Sequence, residues 1–482
     1  MPMRRLMVSL VVLVLALLSI ALFGFRITAI ADFRLEPWHT YVPEELDAET
    51  LDRSDWADYV NAEAKLFRAL HREMREHLAT ERSSAFNRFD ANSRVYPGNL
   101  TRDWNRSYIA EPSQPPKGAV VLLHGLTDSP YSLRHLASHF QAKGYVVVAI
   151  RLPGHGSVPA GLTAAHWEDW MAATRLAVRE ATRQAPGKPL YLVGFSNGGA
   201  LAVKYALDAL ATPDLARPDH LVLISPMIGV SRFARFAGIA GLPALFPAFA
   251  KAAWLSVLPE FNPFKYNSFP VNAARQSYEL TEAVRQQLLD ASKNPEGLQA
   301  LAPIITYQSL VDGTVSTAAI QTELYDRLPA NGSELVIFDT NTSLDIDEML
   351  RPTVAALRDR LFAAPARGYG RTLVATRGPG DARLRSLHYA AGSTNAEEHL
   401  LDASYPAGLF SLSHVALPFP LDDALYGQQP SQAENYGVNL GTLSMRGERG
   451  ALILDAGSFS RATSNPFFEL MLDNLDQAAQ VR

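Results

Sequence analysis

The sequence predicts an α/β protein with a mostly parallel sheet and helices on both faces. Short apolar runs, typical of buried strands, alternate with segments of helical periodicity between residues 119 and 338. One such run, at 190–195, leads through Gly194-Phe195-Ser196-Asn197-Gly198 directly into a helical segment. A serine on a sharp turn between strand and helix is held above the carboxyl end of the sheet, so this stretch is the first candidate for a site.

The predicted elements follow one another in a regular order. Strands are expected at 119–123, 145–150, 190–195, 220–225, 302–307 and 334–338, and helices at 131–143, 163–184 and 200–210. Outside this region we expect helices at 54–80, 346–362 and 466–478 and strands at 372–376 and 451–454. Because sites of parallel sheets lie where the strands end, His124, the loop at 153–156 and Ser196 are expected to converge.

The N-terminus carries a long apolar segment. Residues 6–25 contain no charged side chain, and a helix of about 20 residues crosses one hydrocarbon core. The pattern favours an uncleaved transmembrane helix at 1–26, with Arg4 and Arg5 inside and the globular part outside the cytoplasm, which in a bacterium means the periplasm. A cleaved secretory signal is the alternative, because Ala29-Ile30-Ala31 resembles a cleavage site.

Composition excludes several classes of function. The chain of 482 residues has a formal net charge of -5 and no cysteine, so neither a nucleic-acid partner nor a disulfide or thiolate metal site is expected. The sequence also has no HExxH, GxGxxG or P-loop pattern. We therefore expect no metal and no cofactor.

Changes in composition divide the chain into segments. After the anchor, residues 27–115 are expected to form a tether, at 32–53, and a helical segment. Residues 116–226 form the first half of the core and 301–482 the second half, with an insertion near 341–405. The intervening segment, 227–300, is rich in Phe and Pro and predicts a helical cap. Whether it lines a ligand pocket or is only a second packing layer stays open.

Four motifs in a fixed order carry a family resemblance. They are LLHGLTDSP, RLPGHG, GFSNGG and SLVDGTV, between residues 116 and 316. The chain resembles the α/β-hydrolase superfamily, and within it carboxylesterases and monoacylglycerol-lipase-like enzymes. The resemblance implies an α/β-hydrolase fold and a nucleophile, an acid and a histidine in that chain order.

The sequence supplies one candidate for each of these roles. Ser196 is the nucleophile, and His414, which follows the acid in an apolar stretch, is the base. Asp312 ends a strand, and Gly313 lets the chain turn, so Asp312 is placed to orient the imidazole. The competitors are the histidines His124, His155, His388 and His399 and the carboxylates Asp345 and Asp347.

Two backbone N–H groups are needed to stabilise a developing oxyanion. Asn197, directly after the nucleophile, supplies the first. The second is expected from the loop after the early strand, at Leu126. The sequence does not assign the residues that bind the rest of the substrate.

These residues predict a membrane-tethered serine hydrolase of carboxylic esters. The Phe-rich segment favours a small ester with an apolar group, by analogy with the fold alone. Acyl transfer to another acceptor uses the same residues and stays open. A non-catalytic binding module and a peptidase are further alternatives.

Overall fold

A ten-stranded sheet lies at the centre of the computed structural model, which describes residues 34–78, 84–229, 247–293, 295–345, 347–363, 365–443 and 461–480. The predicted anchor at 1–26 and the predicted strand at 451–454 lie outside these ranges. The strands of the sheet are β1 Tyr108–Ala110, β2 Gly118–Leu123, β3 Tyr145–Ile150, β4 Leu190–Phe195, β5 His220–Ile224, β8 Ile304–Ser309, β9 Glu334–Phe338, β10 Gly370–Gly378, β11 Asp381–Tyr389 and β12 Glu397–Ser404. A separate pair is formed by β6 Trp254–Ser256 and β7 Phe269–Pro270.

The strand order is β1-β3-β2-β4-β5-β8-β9-β10-β11-β12. In this spatial order, the neighbouring strands from β3 through β2, β4, β5, β8 and β9 to β10 are all parallel. The first pair and the last two pairs are antiparallel. The order reverses around β2, so the strands that precede His124 and Ser196 are direct neighbours, and their carboxyl ends meet at one edge of the sheet.

Helices cover both faces of this sheet. They are α1 Pro37–Thr40, α2 Ala48–Arg53, α3 Trp56–Leu78, α4 Arg134–Ala142, α5 Trp167–Gln184, α6 Asn197–Ala211, α7 Val271–Ala291, α8 Pro295–Gln299, α9 Thr317–Ala319, α10 Pro352–Phe362 and α11 Phe468–Gln480. One core joins the sheet to α5, α6 and α7, and a second core joins the other face to α4 and α11. The fold is therefore the mostly parallel, three-layered α/β arrangement that the sequence predicts.

Alternating side chains explain the two cores. In β2, Val121 and Leu123 join the core with α5 and α6, whereas Val120 and Leu122 join the core with α4 and α11. All of β2 is buried. A strand buried on both faces carries a continuous apolar run rather than an alternating one, and this is why the sequence shows such runs.

The structure differs from the prediction of a tether at 32–53. This segment contains α1 and α2, and Leu51 is part of the main core. Glu45 accepts hydrogen bonds from Arg151 Nη1 at 2.7 Å and Nη2 at 2.9 Å. Its prolines and charged residues resemble a linker in composition, but Glu45 is held by the buried Arg151.

The insertion near 341–405 also contains more strands than predicted. Instead of one strand at 372–376, it contributes β10, β11 and β12, which extend the sheet as an antiparallel ribbon. The predicted helix at 346–362 begins at Pro352, since a proline is favoured in the first turn and its ring blocks an earlier start.

The predicted cap at 227–300 contains a core helix. In α7, Leu280, Val284 and Leu288 are fully buried in the same core as α5 and α6. Phe264 stacks on Tyr131 with ring centroids 4.3 Å apart. These described residues serve as a packing layer, while Phe233, Phe236 and Phe246 lie outside the described ranges.

In the described part of the chain, no helix combines the length and apolar character needed to cross a membrane.

Candidate active site

Ser196 occupies a strained turn between β4 and α6. Its backbone has φ 54° and ψ -115°, a conformation that non-glycine residues rarely adopt. The turn is held by its neighbours: the Ser196 N–H donates to the carbonyl of Ile224 at 2.9 Å, and the Ser196 carbonyl accepts from the N–H of Met227 at 2.9 Å. The side chain is thereby fixed at the carboxyl end of the sheet.

Two glycines permit this turn because the backbones on either side approach closely. A Cβ on Gly194 would lie 2.3 Å from the carbonyl oxygen of Gly198. A Cβ on Gly198 would lie 1.9 Å from the carbonyl oxygen of Leu123. Both positions therefore require the absence of a side chain.

Replacement of Gly198 is expected to be strongly destabilising. In Gly198→Ala the new methyl group meets backbone of β2, which cannot rotate away, so either β2 or the start of α6 must shift. We expect a loss of about 3 kcal/mol in the free energy of unfolding, measured by urea denaturation. Gly313→Ala is the matched control, because a Cβ there meets nothing within 4 Å. Equal stability of the two variants would contradict this account.

Ser196, His414 and Asp312 are in direct hydrogen-bond contact. His414 Nε2 lies 3.0 Å from Ser196 Oγ, and His414 Nδ1 lies 2.9 Å from Asp312 Oδ2. The other carboxylate oxygen, Oδ1, accepts from the backbone N–H groups of Thr314 at 2.7 Å and Val315 at 3.0 Å. Asp312 and His414 are 102 residues apart in sequence.

The environment keeps Asp312 ionised. Its burial opposes the charge, but the hydrogen bond and the attraction of His414, together with the two backbone N–H groups, hold the pKa of Asp312 below its usual value. The ring of Phe195 stacks on the imidazole of His414 with centroids 5.3 Å apart, so this contact also holds the imidazole in place. Such an arrangement can transfer the serine proton to an imidazole that a carboxylate orients.

The competing histidines are engaged elsewhere. His124 Nε2 accepts the N–H of Leu152 at 3.0 Å, and its Nδ1 donates to the carbonyl of Gly125 at 2.9 Å. His155 Nδ1 donates to the carbonyl of Pro153. His388 contacts Thr372 and Glu334 at the far end of the sheet, and His399 is exposed on β12. Among the competing acids, Asp345 is exposed; the side chain of Asp347 is outside the description.

Buried neutral histidines predict that the protein loses stability in mild acid. Burial lowers the pKa of His124 to about 3 and that of His39 to about 4, and it lowers the pKa of His155 strongly. Below pH 6.5 the unfolded chain binds protons that the folded chain excludes, so unfolding becomes more favourable as the pH falls towards those values. At pH 5 each such histidine is expected to lower the free energy of unfolding by about 2 kcal/mol.

Urea denaturation at pH 7.5 and pH 5.0 measures this effect. Between the two pH values, the free energy of unfolding of His39→Gln is expected to fall less than that of the unsubstituted protein. The exposed His77 provides the control, since His77→Asn should leave the drop unchanged. A drop that is the same in all three proteins would contradict the assignment.

The two predicted oxyanion donors adjoin Ser196. Asn197 is the first residue of α6 and is fully buried. Leu126 follows Gly125. A Cβ added to Gly125 would lie 3.3 Å from Cβ of Ser196, so this loop passes directly beside Ser196. The Asn197 side chain reaches helix α7, where its Oδ1 accepts from Ser277 Oγ at 3.3 Å.

A buried ion pair that the sequence analysis did not find supports the loop at 151–156. Besides Glu45, Arg151 contacts Glu63 Oε1 through Nε at 3.0 Å, and Tyr59 donates its hydroxyl to the Arg151 carbonyl. The Gly154 N–H donates to Glu45 at 2.9 Å. The partners lie 88 and 106 residues from Arg151, and no local pattern signals a contact over such a separation.

Comparison with known proteins matches the core of the chain. Residues 114–341 match the family model Hydrolase_4, described as serine aminopeptidase, S33. A thermostable monoacylglycerol lipase of Bacillus sp. (strain H-257) is 31% identical over 99 residues, which are 20% of this chain and 39% of that protein. A monoacylglycerol lipase of Mycolicibacterium smegmatis is 32% identical over 97 residues, 20% of this chain and 34% of that protein. The chain thus matches well under half of the length of these curated relatives.

Solved structures give similar matches. The monoacylglycerol lipase of Paleococcus ferrophilus aligns with a TM-score of 0.37 and 20% identity, over 48% of this chain and 89% of that one. A soluble variant of the monoglyceride lipase of Saccharomyces cerevisiae aligns with a TM-score of 0.37 and 17% identity, over 48% and 81%. The family match over residues 114–341 and the strand order of the sheet support an α/β-hydrolase fold for this part of the chain.

Proposed function

We propose that the chain is a serine hydrolase of carboxylic esters, with Ser196, His414 and Asp312 as its catalytic triad. The observation that carries this proposal is the continuous set of hydrogen bonds from Ser196 Oγ through the imidazole to Asp312, with the serine on a strained turn. A turn of this kind costs free energy, and such strain is typical of functional positions.

Each group of the triad has a defined task. Ser196 Oγ attacks the ester carbonyl carbon while His414 Nε2 takes its proton, and Asp312 stabilises the imidazolium. The tetrahedral intermediate collapses, the C–O bond to the alcohol breaks, and His414 returns the proton to the leaving alkoxide. Water, deprotonated by His414, then attacks the acyl-enzyme and releases the carboxylic acid and free Ser196.

The oxyanion is stabilised by the backbone N–H groups of Asn197 and Leu126. The positive end of the dipole of α6 adds to this stabilisation, because the helix begins at Asn197. A fixed donor of this kind typically contributes about 3 kcal/mol to lowering the barrier.

The proposed substrate is a small ester with an apolar group. The names of the two curated relatives, both monoacylglycerol lipases, support an acyl ester as the class. Ser196 and His414 are 5% and 4% exposed, which favours a substrate that enters a largely enclosed site.

We further propose that the hydrolase is tethered to a membrane by residues 1–26, with the catalytic part outside the cytoplasm. The uncharged apolar run at 6–25 and the arginines before it support this location. Fractionation of cells that express the full chain tests it: the protein should sediment with membranes and resist extraction by carbonate. Recovery in the soluble fraction would overturn the tether and leave the triad unaffected.

Ester hydrolysis by the full chain in detergent tests the main proposal. We expect turnover of p-nitrophenyl esters, with a dependence on acyl length that describes the pocket, and covalent labelling by a fluorophosphonate. Added alcohols separate hydrolysis from acyl transfer, because transfer gives a new ester in place of the acid. A folded protein that neither turns over any ester nor reacts with the label would overturn the assignment.

A further inference from the structure

His414 lies in a segment, residues 409–414, that has no regular secondary structure. In the part of the chain that the structure describes, no helix or strand is formed between β12, which ends at Ser404, and α11, which begins at Phe468. The hydrogen-bond ladders of the sheet therefore do not fix this segment. A side chain on such a loop depends on the contacts of the backbone around it, and these contacts decide whether the imidazole stays within reach of its partners.

Two residues at the ends of neighbouring strands hold the segment. Ser309, the last residue of β8, donates its hydroxyl to the carbonyl of Leu412 at 2.8 Å. Asn341, which follows the end of β9, donates its backbone N–H to the carbonyl of Phe410 at 2.8 Å. Its side-chain Nδ2 donates to the carbonyl of Leu409 at 2.9 Å. The backbone that leads to His414 thus lies across the carboxyl ends of β8 and β9.

Both donors are buried and are themselves held in place. Ser309 is 0% exposed, and Asn341 and Leu412 are each 1% exposed. The Oδ1 atom of Asn341 accepts from the N–H of Ser343 at 3.2 Å and from its hydroxyl at 2.5 Å, and the carbonyl of Ser309 accepts from the hydroxyl of Thr317 at 3.0 Å. A buried carbonyl that loses its donor is unfavourable, so without these groups the segment is expected to move until its carbonyls find other partners.

We infer that Ser309 and Asn341 are positioning residues that hold His414 between Ser196 and Asp312. Ser309 is the more direct of the two, because it lies at the end of the strand that leads to Asp312 and also bonds to the segment that carries His414. It therefore links the backbones of the acid and of the base. The inference rests on the proposed hydrolase function, in which a displacement of the base by about 1 Å can lower the rate by about 10²-fold.

Kinetics of Ser309→Ala, measured with the full chain in detergent, tests this role. We expect kcat for a p-nitrophenyl ester to fall by roughly tenfold or more while KM stays within about twofold, because only the base is displaced. Asn341→Ala should show the same pattern with a smaller loss, since its backbone N–H still bonds to Phe410. Ser464→Ala is the matched control: Ser464 is 1% exposed, and its hydroxyl has no hydrogen-bond partner among the described residues. Its kcat should stay within about twofold of the unsubstituted value.

The proton resonance of His414 Nδ1–H in its hydrogen bond to Asp312 gives a second readout, which needs no substrate. Such a proton, bonded to a carboxylate, is observed far downfield in the NMR spectrum of the resting protein. It should be present in the unsubstituted protein and in Ser464→Ala, and its loss in His414→Ala assigns it. In Ser309→Ala it should be weakened or shifted upfield. Loss of a hydroxyl that only stabilises the fold would leave this resonance in place, and circular dichroism verifies that each variant is folded.

The two readouts separate this inference from the proposed function. An unchanged resonance in Ser309→Ala, or an unchanged kcat in an active protein, would overturn the positioning role and leave ester hydrolysis unaffected. An unsubstituted protein that hydrolyses no ester would overturn the proposed function, whereas a change of the resonance in Ser309→Ala would still support the placement of His414. Absence of the resonance from the unsubstituted protein would also overturn the inference, since His414 would then have no fixed position. Asn341→Ala is judged by the same criteria, so the test does not depend on the folding of one variant.

Discussion

Ser196→Ala is expected to lower kcat for a p-nitrophenyl ester by about 10⁶-fold, with little change in KM. Without Oγ no acyl-enzyme forms, and only the oxyanion donors remain to assist direct attack by water. His414→Ala is expected to lose about as much, because the serine hydroxyl then has no base at 3.0 Å. Steady-state kinetics with the unsubstituted protein at the same concentration measures both losses.

The double variant makes this test more specific. Residues that act as one unit are not additive, so Ser196→Ala combined with His414→Ala should be no slower than either single variant. His388→Ala is the matched control for loss of a histidine, as His388 lies on β11 away from Ser196, and it should keep nearly full activity. Independent, multiplying losses in the double variant would indicate that the two residues do not share one step.

The sequence predicts the parallel core well because its signals are local. An apolar run such as 190–195 and the spacing of Gly194, Ser196 and Gly198 depend on backbone geometry over a few residues, and β4 and α6 begin within a few positions of the expected bounds. Chain order predicts both partners, together with the strand end before Asp312 and the apolar stretch around His414, and the structure brings the two side chains into contact. Their catalytic roles remain predictions.

The rest of the fold depends on contacts that no local pattern contains. The ribbon of β11 and β12 carries many polar residues, mostly half-buried in β11 and mostly exposed in β12, that resemble a loop in composition. Similarly, the segment after His414 is fixed by Asp423, which is fully buried and accepts from Tyr131, Arg134 and His135. A lone aspartate in a loop gives no sign of three partners almost 300 residues away. Long-range charge pairs are therefore the main feature that sequence reasoning misses here.

Asp312→Asn is expected to lower kcat by about 10⁴-fold, although it changes only one atom. The remaining oxygen should stay on the N–H groups of Thr314 and Val315, because the amide nitrogen cannot accept from them. The new NH₂ group then faces His414 Nδ1 in place of Oδ2, 2.9 Å away. The imidazole must accept that hydrogen bond, so its own proton moves to Nε2, which no longer can take a proton from Ser196.

Asp345→Asn is the matched control, because Asp345 is one of the two competing acids that the sequence offers after the next strand. It is exposed, and its φ of 53° suits asparagine at least as well as aspartate. We expect kcat of Asp345→Asn to stay within about twofold of the unsubstituted value, because substitutions of exposed residues of this kind have small effects. A wrong tautomer of this kind raises the barrier by about 5 kcal/mol. If Asp312→Asn kept more than about a tenth of the activity, or if Asp345→Asn lost as much activity as Asp312→Asn, another group would have to orient His414.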